Sequence, residues 1–267
     1  MKVALISMSG TVGKTTLASY LILPRMPEDT RFFALESVNE SADQLGVENV
    51  EKMRGREFIR FYEELLDADD AVIDIGVSNV EAFLSNAKRQ RNLASEVDYF
   101  VIPVKTGGAR FLREATATVE ELLGMNVNPD QIRIVFNMIE DFDIPQLKDI
   151  FSPLFELAKV CKCPVMVSDK YVLRDDPMYN DLNGLGWSLE KLMADKTDYK
   201  ALQKDEKDRE RRKAYTRMRR LQGEAAPVHE ELDALFSALF PNEEIVRRNP
   251  AAPVPVAKKI VEGKPEK

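Results

Sequence analysis

The first sixteen residues constrain the fold most strongly, because they join an apolar run, a small-residue loop and a helix start. Val3 to Ile6 are apolar without polar alternation, a pattern typical of a strand buried on both faces. The loop ends in Gly13-Lys14-Thr15-Thr16, and residues 17–21 continue as a predicted helix that we expect Pro24 to end. A strand, a tight loop and a helix in this order predict an α/β chain.

The loop has most of the features of a phosphate-binding site. The general pattern of glycine, four free positions and Gly-Lys-Ser/Thr would place a glycine where this chain has Met8, so the strict pattern is not met. Backbone N–H groups, the helix dipole and the Lys14 ammonium nevertheless favour bound phosphate. The alternative is a chance tripeptide that only caps a helix. We predict that the nucleotide is bound by Gly10, Thr11, Val12, Gly13, Lys14, Thr15 and Thr16.

A carboxylate for a metal ion is predicted on a second apolar strand, residues 71–75. Asp74 lies inside this strand, where an unpaired acid would cost several kcal/mol, roughly, so we expect a cation partner. Thr15 and Asp74 are therefore the predicted Mg²⁺ ligands, and Lys14 and Asp74 the predicted catalytic residues. Gly76 would allow a loop to approach the γ-phosphate. Asp74 could instead cap the following helix.

Apolar runs alternate with helical patterns along the chain, which predicts a mostly parallel, doubly wound sheet flanked by helices. Such a sheet binds its ligand beyond the carboxyl ends of the strands, where Thr15, Asp74 and Asn137 all fall. The predicted strands are residues 2–7, 31–35, 71–75, 99–104, 132–137 and 164–167. The predicted helices between them are residues 56–66, 79–93, 110–123 and 144–160.

Composition excludes several classes of function. A net charge of −7 argues against a molecule that binds nucleic acid over its whole surface. No apolar segment reaches the length of about 20 residues that a membrane span needs, and the N-terminus lacks a basic leader, so we expect a cytoplasmic protein. The one histidine, His229, argues against imidazole-based triads. Cys161 and Cys163 are too few for a structural zinc set and have no assigned role.

The pattern changes near residue 190. We predict a P-loop domain over residues 1–190, a charged helical extension over 191–240 and a disordered tail over 241–267. Residues 196–220 contain eleven basic and five acidic residues, typical of a solvated helix or arm that could contact DNA phosphates. Residues 230–240 are predicted to form a separate short helix with an apolar face.

Several motifs together resemble one family over about residues 1–170. They are the loop Ser9 to Thr16, the run from Val72 through Asp74 and Gly76 to Leu84, residues 98–103, and Val135-Phe136-Asn137-Met138. The chain resembles the ParA/MinD group of P-loop ATPases and, within it, plasmid stability ATPases of the StbB type. The resemblance implies ATP or ADP with Mg²⁺, an adenine contact from Asn137, a nucleotide-dependent homodimer and a plasmid-encoded DNA-binding partner protein.

The sequence departs from this group at three positions. Ser9 stands where the group has its signature lysine, Thr11 where it has a glycine, and Val38 where it has a water-positioning aspartate two residues after an acid, here Glu36. The resemblance therefore implies a slow ATPase.

The predicted function is a nucleotide-dependent switch in plasmid stability, segregation or positioning. The alternatives are a small-molecule kinase or ATP-dependent ligase, and a nucleotide sensor that does not hydrolyse ATP. We expect no stable membrane anchor, because residues 256–261 are basic and apolar but short and flanked by proline.

Overall fold

An open, all-parallel sheet forms the centre of the molecule. The computed structural model describes residues 1–35, 55–90, 93–247 and 258–259. The strands are β1 (Lys2–Leu5), β2 (Arg31–Leu35), β3 (Ala71–Ile75), β4 (Tyr99–Val104), β5 (Ile132–Ile139) and β6 (Val167–Arg174), and a two-residue β7 (Lys258–Lys259) pairs with β2. Their spatial order is β6-β5-β4-β1-β3-β2-β7, with every pair parallel.

Helices cover both faces of this sheet. They are α1 (starting as Lys14–Thr16), α2 (Gly55–Leu66), α3 (Val77–Arg89), α4 (Leu93–Glu96), α5 (Ala109–Gly124), α6 (Leu147–Ile150), α7 (Ser152–Val160), α8 (Met178–Leu185), α9 (Leu189–Ala194), α10 (Tyr199–Asp205) and α11 (Arg209–Leu239). Helices α2, α3, α5 and α7 pack on one face, and α1, α8, α9 and α11 pack on the other. This arrangement confirms the predicted doubly wound α/β fold.

The central strand β1 explains why the opening apolar run shows no polar alternation. Val3 and Leu5 belong to the core on one face of the sheet, and Ala4 and Ile6 to the core on the other. Successive side chains of a strand point to opposite faces, so a strand covered on both sides is apolar throughout. Leu5 pairs with Asp74 of β3, which places that acid level with the start of the phosphate loop.

The helix after the loop is irregular and longer than expected. It begins as an α-helix at Lys14–Thr16, continues as a π-helix at Leu17–Ile22 and ends as a 3₁₀ turn at Leu23–Arg25. We expected Pro24 to end the helix before this turn, but it does not. Pro24 lies in the first turn of the 3₁₀ segment, where the N–H group that proline lacks would have no partner within the helix.

Two other predicted elements differ in the structure. The last of the six predicted strands was placed at residues 164–167 but spans Val167–Arg174. This strand lies at an edge of the sheet and carries exposed charged residues, so it is not a continuous apolar run that the sequence could indicate. The helix predicted at residues 144–160 is divided into a 3₁₀ turn, α6 and α7. Pro153 occupies the first turn of α7, where it cannot continue a preceding helix.

The C-terminal region contains one long helix in place of two shorter ones. Helix α11 runs without interruption over 31 residues and includes Pro227. The separate short helix predicted at residues 230–240 is therefore the second half of α11. Its buried residues recur at helical spacing and pack on the sheet face that α1 also covers; they include Leu221, Val228, Leu232, Leu235, Phe236 and Leu239.

Candidate functional site

The loop between β1 and α1 has the backbone conformation of an anion site. Thr11 and Gly13 both have positive φ angles, 56° and 81°, and Gly13 stands at the N-cap of α1 without a side-chain cap. Alternation of conformations in a short loop turns successive N–H groups toward one point, and the uncapped helix start adds further donors. The loop is therefore suited to phosphate oxygens.

Lys14 lies over this loop. Its Nζ donates a hydrogen bond to the carbonyl oxygen of Ser9 at 3.0 Å, and the side chain is buried. The Lys14 side chain thus crosses the loop that is predicted from the sequence to bind phosphates. Val12 is buried beneath it, Gly10 is half-buried, and Thr16 is the third residue of α1.

The two predicted metal ligands lie together, although 59 residues separate them in sequence. Thr15 Oγ1 donates to Asp74 Oδ2 at 2.6 Å. Asp74 is 2% exposed, and its carboxylate is held at this edge by the pairing of β3 with β1. A hydroxyl and a carboxylate are hard oxygen donors of the kind that Mg²⁺ prefers, so the pair fits this ion.

The remaining two predicted site residues flank the loop on opposite sides. Gly76 is the N-cap of α3, and its N–H donates to the Leu35 carbonyl at 2.8 Å. Asn137 of β5 donates from Nδ2 to the Val12 carbonyl at 2.7 Å. A Cβ added to Gly13 would lie 2.2 Å from this nitrogen, so glycine is required there. Asn137 thus fixes the loop, and its contact with adenine stays a prediction.

One group of site residues was missed by the sequence analysis. The hydroxyl of Ser9 donates to Glu114 of α5, and Arg110 Nε pairs with the other oxygen of this carboxylate at 2.8 Å. The pKa of Glu114 is lowered, first by the hydrogen bond from Ser9. Burial acts in the opposite direction, and Arg110 lowers the pKa further. The spacing of Arg110 and Glu114 could have been read as a helical ion pair. No sequence signal joins either residue to Ser9.

The far end of α1 is attached to α11 by a buried arginine. Arg25 is 1% exposed and donates to the carbonyls of Tyr20 and Leu21 at 2.8 and 3.1 Å. Its Nε also pairs with Asp233 of α11 at 2.8 Å. The sole histidine, His229, lies 3.4 Å from the same carboxylate. The helix that starts at the phosphate loop is therefore fixed at its other end by one carboxylate of the C-terminal helix.

The basic stretch 196–220 forms α10, the turn after it and the first part of α11. Residues 209–217 are exposed except for the half-buried Tyr215. Arg217 and Arg220 pair with Asp181 of α8. Arg209, Arg211 and Arg212 make no salt bridge with any part of the chain that the structure describes. These three guanidinium groups are exposed near the start of α11 and are available to an anionic partner.

Other predicted features have simpler outcomes. Cys161 and Cys163 are both free thiols, and burial, reinforced by Asp130, raises the pKa of Cys163 to about 11. Within residues 1–35, 55–90 and 93–247, no three His, Cys, Asp or Glu side chains are grouped as a metal site. Glu36 and Val38 lie outside the described residues.

The helices were also compared with the requirements of a bilayer. In the described part of the chain, none combines the length and the apolar character that crossing a membrane requires.

Comparison with known proteins gives distant structural likenesses only. No family model and no curated protein matches the chain. A chain of the MinC:MinD cell division protein complex of Aquifex aeolicus is similar, with a TM-score of 0.49, 13% identity and coverage of 92% of this chain and 98% of that one. A complex of Cyanothece McdA with ATP is similar with a TM-score of 0.49 and 16% identity, over 92% of this chain and 98% of that one. The structure of pNOB8 ParA bound to nonspecific DNA is similar with a TM-score of 0.46 and 11% identity, over 91% of this chain and 99% of that one. All TM-scores are below 0.5, so these likenesses carry no argument about activity.

Proposed function

We propose that this protein is a magnesium-dependent ATPase that acts as a nucleotide-controlled switch. The observation that carries the proposal is the Thr15–Asp74 pair at 2.6 Å beside Lys14 at the head of α1. Phosphoryl transfer needs a cation over the phosphates, a metal held by a hydroxyl and a carboxylate, and a loop of N–H donors. Lys14, the Thr15–Asp74 pair and the loop between β1 and α1 suit these three requirements.

Each residue has a distinct role in this proposal. Lys14 leaves the Ser9 carbonyl and neutralises the β- and γ-phosphates, and the N–H groups from Gly10 to Thr16 hold the phosphate oxygens. Thr15 and Asp74 hold Mg²⁺, which when bound would neutralise charge that develops on the phosphates. Gly76 leaves room for the γ-phosphate on the β3 side of the loop, and Asn137 lies on the nucleoside side.

The biological role that we propose is plasmid stability, segregation or positioning, of the StbB type. It is supported by the sequence resemblance and by the exposed Arg209, Arg211 and Arg212 on α11, which suit DNA phosphates. The proposed partners are a plasmid-encoded DNA-binding protein, nonspecific DNA and a second copy of the chain in the ATP state.

A nucleotide sensor that does not hydrolyse ATP is the second candidate, and one observation favours it. Ser9 is 1% exposed and its hydroxyl is bound to Glu114, so the position that carries the signature lysine of the ParA/MinD group contributes no cation. ATP turnover separates the two candidates. Release of phosphate that DNA or a partner protein stimulates supports the ATPase, and binding without turnover supports the sensor. Stimulation by a metabolite would favour a kinase or ligase.

Titration calorimetry with ATP and Mg²⁺ tests the proposal directly. We expect the wild-type chain to bind and Lys14→Ala to lose binding, because the principal charge opposite the phosphates is removed. Lys159→Ala is the matched control, since it removes a lysine that is 71% exposed at the end of α7. Equal affinity of Lys14→Ala and wild type, or no heat with any nucleotide, would contradict the proposal.

A further inference from the structure

The orientation of a bound nucleotide follows from the positions of the site residues on the sheet. Thr15 and Asp74 lie on the β3 side of the phosphate loop, while Asn137 approaches the loop from β5, on the other side of β1 and β4. Thr15 and Asp74 would hold a metal beside the terminal phosphates, so the nucleoside would lie away from them. The base therefore belongs at the carboxyl ends of β5 and β6.

One large aromatic side chain is exposed in this region. Phe142 lies in the turn that follows β5 and is 70% exposed. No ring contact to another aromatic residue is formed by Phe142 in the described ranges. Val160, which is 79% exposed, ends α7 and precedes β6, so it lies at the opposite edge of the sheet. Burial in the core thus does not explain Phe142, which follows Asn137 by five residues at the same end of β5.

The turn that carries Phe142 is held in place by its neighbours. Arg174 at the end of β6 pairs with Asp141 at 2.9 Å and with Glu231 of α11 at 2.8 Å. The N–H of Asp175 donates to the carbonyl of Ile139 at 3.2 Å, which joins the ends of β5 and β6. An aromatic ring on a turn fixed in this way loses little conformational freedom when a flat ligand stacks on it.

The charge around the turn favours a base over a phosphate. The acids at these two strand ends are Glu140, Asp141, Asp143, Asp175 and Asp176. Carboxylates repel phosphate oxygens but accept hydrogen bonds from the exocyclic amino group of a base. Stacking on an aromatic face does not depend on charge of either sign.

We propose that Phe142 is a nucleotide-positioning residue on which the base of the bound nucleotide stacks. This inference rests on the proposed function, because it requires a nucleotide on the phosphate loop. It assigns a role to a residue that no motif in the sequence indicates.

Two ligands separate base binding from phosphate binding. ADP and inorganic tripolyphosphate, each with Mg²⁺, are titrated calorimetrically into wild type, Phe142→Ala, Phe142→Tyr and Val160→Ala. We expect Phe142→Ala to bind ADP about tenfold more weakly and tripolyphosphate as wild type does, because only stacking is lost. Phe142→Tyr keeps the ring and should bind ADP within about twofold of wild type. Val160→Ala should bind both ligands as wild type does.

The possible outcomes are distinguishable. If wild type binds both ligands and Phe142→Ala binds ADP equally tightly, the stacking role is wrong and the phosphate site stands; Phe142 then serves another contact, such as a protein partner. If Phe142→Ala loses both ligands alike, its role is structural and the proposal is also wrong. If wild type binds neither ligand, the proposed function fails and the stacking role fails with it.

Discussion

Ser9 is a small residue with a large effect on the charge of the site. Its side chain is buried and donates to Glu114, and its carbonyl accepts from Lys14. Among the described residues, Lys14 therefore supplies the cation that contacts the loop backbone, and the Glu114 carboxylate accepts from the Ser9 hydroxyl. In the proposed function, the charge of the phosphates would be neutralised by Lys14 and by a metal bound to Thr15 and Asp74.

The proposed role of Asp74 as a metal ligand gives the first residue-level prediction. Asp74→Asn keeps the size of the side chain but removes its charge, so Mg²⁺ loses its anionic ligand. We expect the affinity for ATP in Mg²⁺ to fall about tenfold or more and to become nearly independent of EDTA. Calorimetry with and without the metal measures this. If Mg²⁺ continues to strengthen ATP binding in the variant, Asp74 is not the metal ligand.

His229 gives a prediction about pH. Burial lowers its pKa; the carboxylates of Asp233 and Glu190 oppose this shift, while Arg25 and Arg247 add to it. Below the ordinary value of 6.5 the unfolded chain takes up a proton that the folded chain resists. Stability should therefore decrease as pH falls from 6.5 toward the lower folded pKa.

Because the chain has one histidine, proton NMR reports this titration without overlap. We expect a midpoint below 6.5 in the folded protein and near 6.5 in urea. His229→Gln should reduce the pH dependence of the unfolding free energy in the same interval. A folded midpoint above 6.5 would contradict the prediction.

The residues of the site differ in how well sequence could identify them. Lys14, Thr15 and Asp74 were predicted to lie together because each is at or beyond the carboxyl end of an apolar strand, and the structure brings Thr15 against Asp74 and Lys14 against the same loop. Glu114 could not be found, since its partner Ser9 is 105 residues away and neither residue belongs to a pattern. The exposure of Phe142 was not predicted, because exposure cannot be read from a single aromatic residue in a turn.

At the scale of elements, the strands covered on both faces were predicted best. Strands β2, β3 and β4 have the predicted bounds, because short runs that are apolar except for Arg31 in β2 and Asp74 in β3 are distinctive. Strand β6 was misplaced because its exposed residues include Asp169 and Lys170. Helix α11 was predicted as two elements because its first half is basic and its second half is apolar. Composition therefore indicated a boundary that the backbone does not have.

The contact between α1 and α11 gives an element-level prediction. Asp233→Ala leaves the buried guanidinium of Arg25 without its carboxylate, which we expect to cost about 3 kcal/mol of unfolding free energy. Asp181→Ala is the control, because its pairs with Arg217 and Arg220 are partly exposed and should contribute about 1 kcal/mol or less. Urea unfolding measures both. Similar losses in the two variants would show that Arg25 does not depend on Asp233.

At the scale of the whole molecule, charge is distributed very unevenly. The chain has a net charge of −7, yet residues 196–220 contain eleven basic and five acidic residues. The acidic remainder repels DNA, so an approaching duplex should meet the exposed start of α11 first.

This asymmetry gives a prediction about DNA. Binding of a random duplex should weaken steeply with NaCl, and replacing Arg209, Arg211 and Arg212 by alanine should reduce the slope of log K against log salt by about 2 to 3. Replacing Lys148, Lys159 and Lys170, on α6, α7 and β6, should leave the slope unchanged. Fluorescence anisotropy in ATP and in ADP measures the slope. Binding that does not change with NaCl concentration, or an equal change of the slope in the two triple variants, would contradict direct contact through α11.

Helix α11 also limits how the protein can be dissected. It belongs to the same apolar core as Leu21 and Val135, on the sheet face that α1 shares, and holds the end of α1 through Arg25. A fragment truncated after residue 190 would leave this apolar layer facing water and Arg25 buried without its counter-ion. Such a fragment should aggregate during expression, so the proposed nucleotide site has to be studied with its C-terminal helix attached.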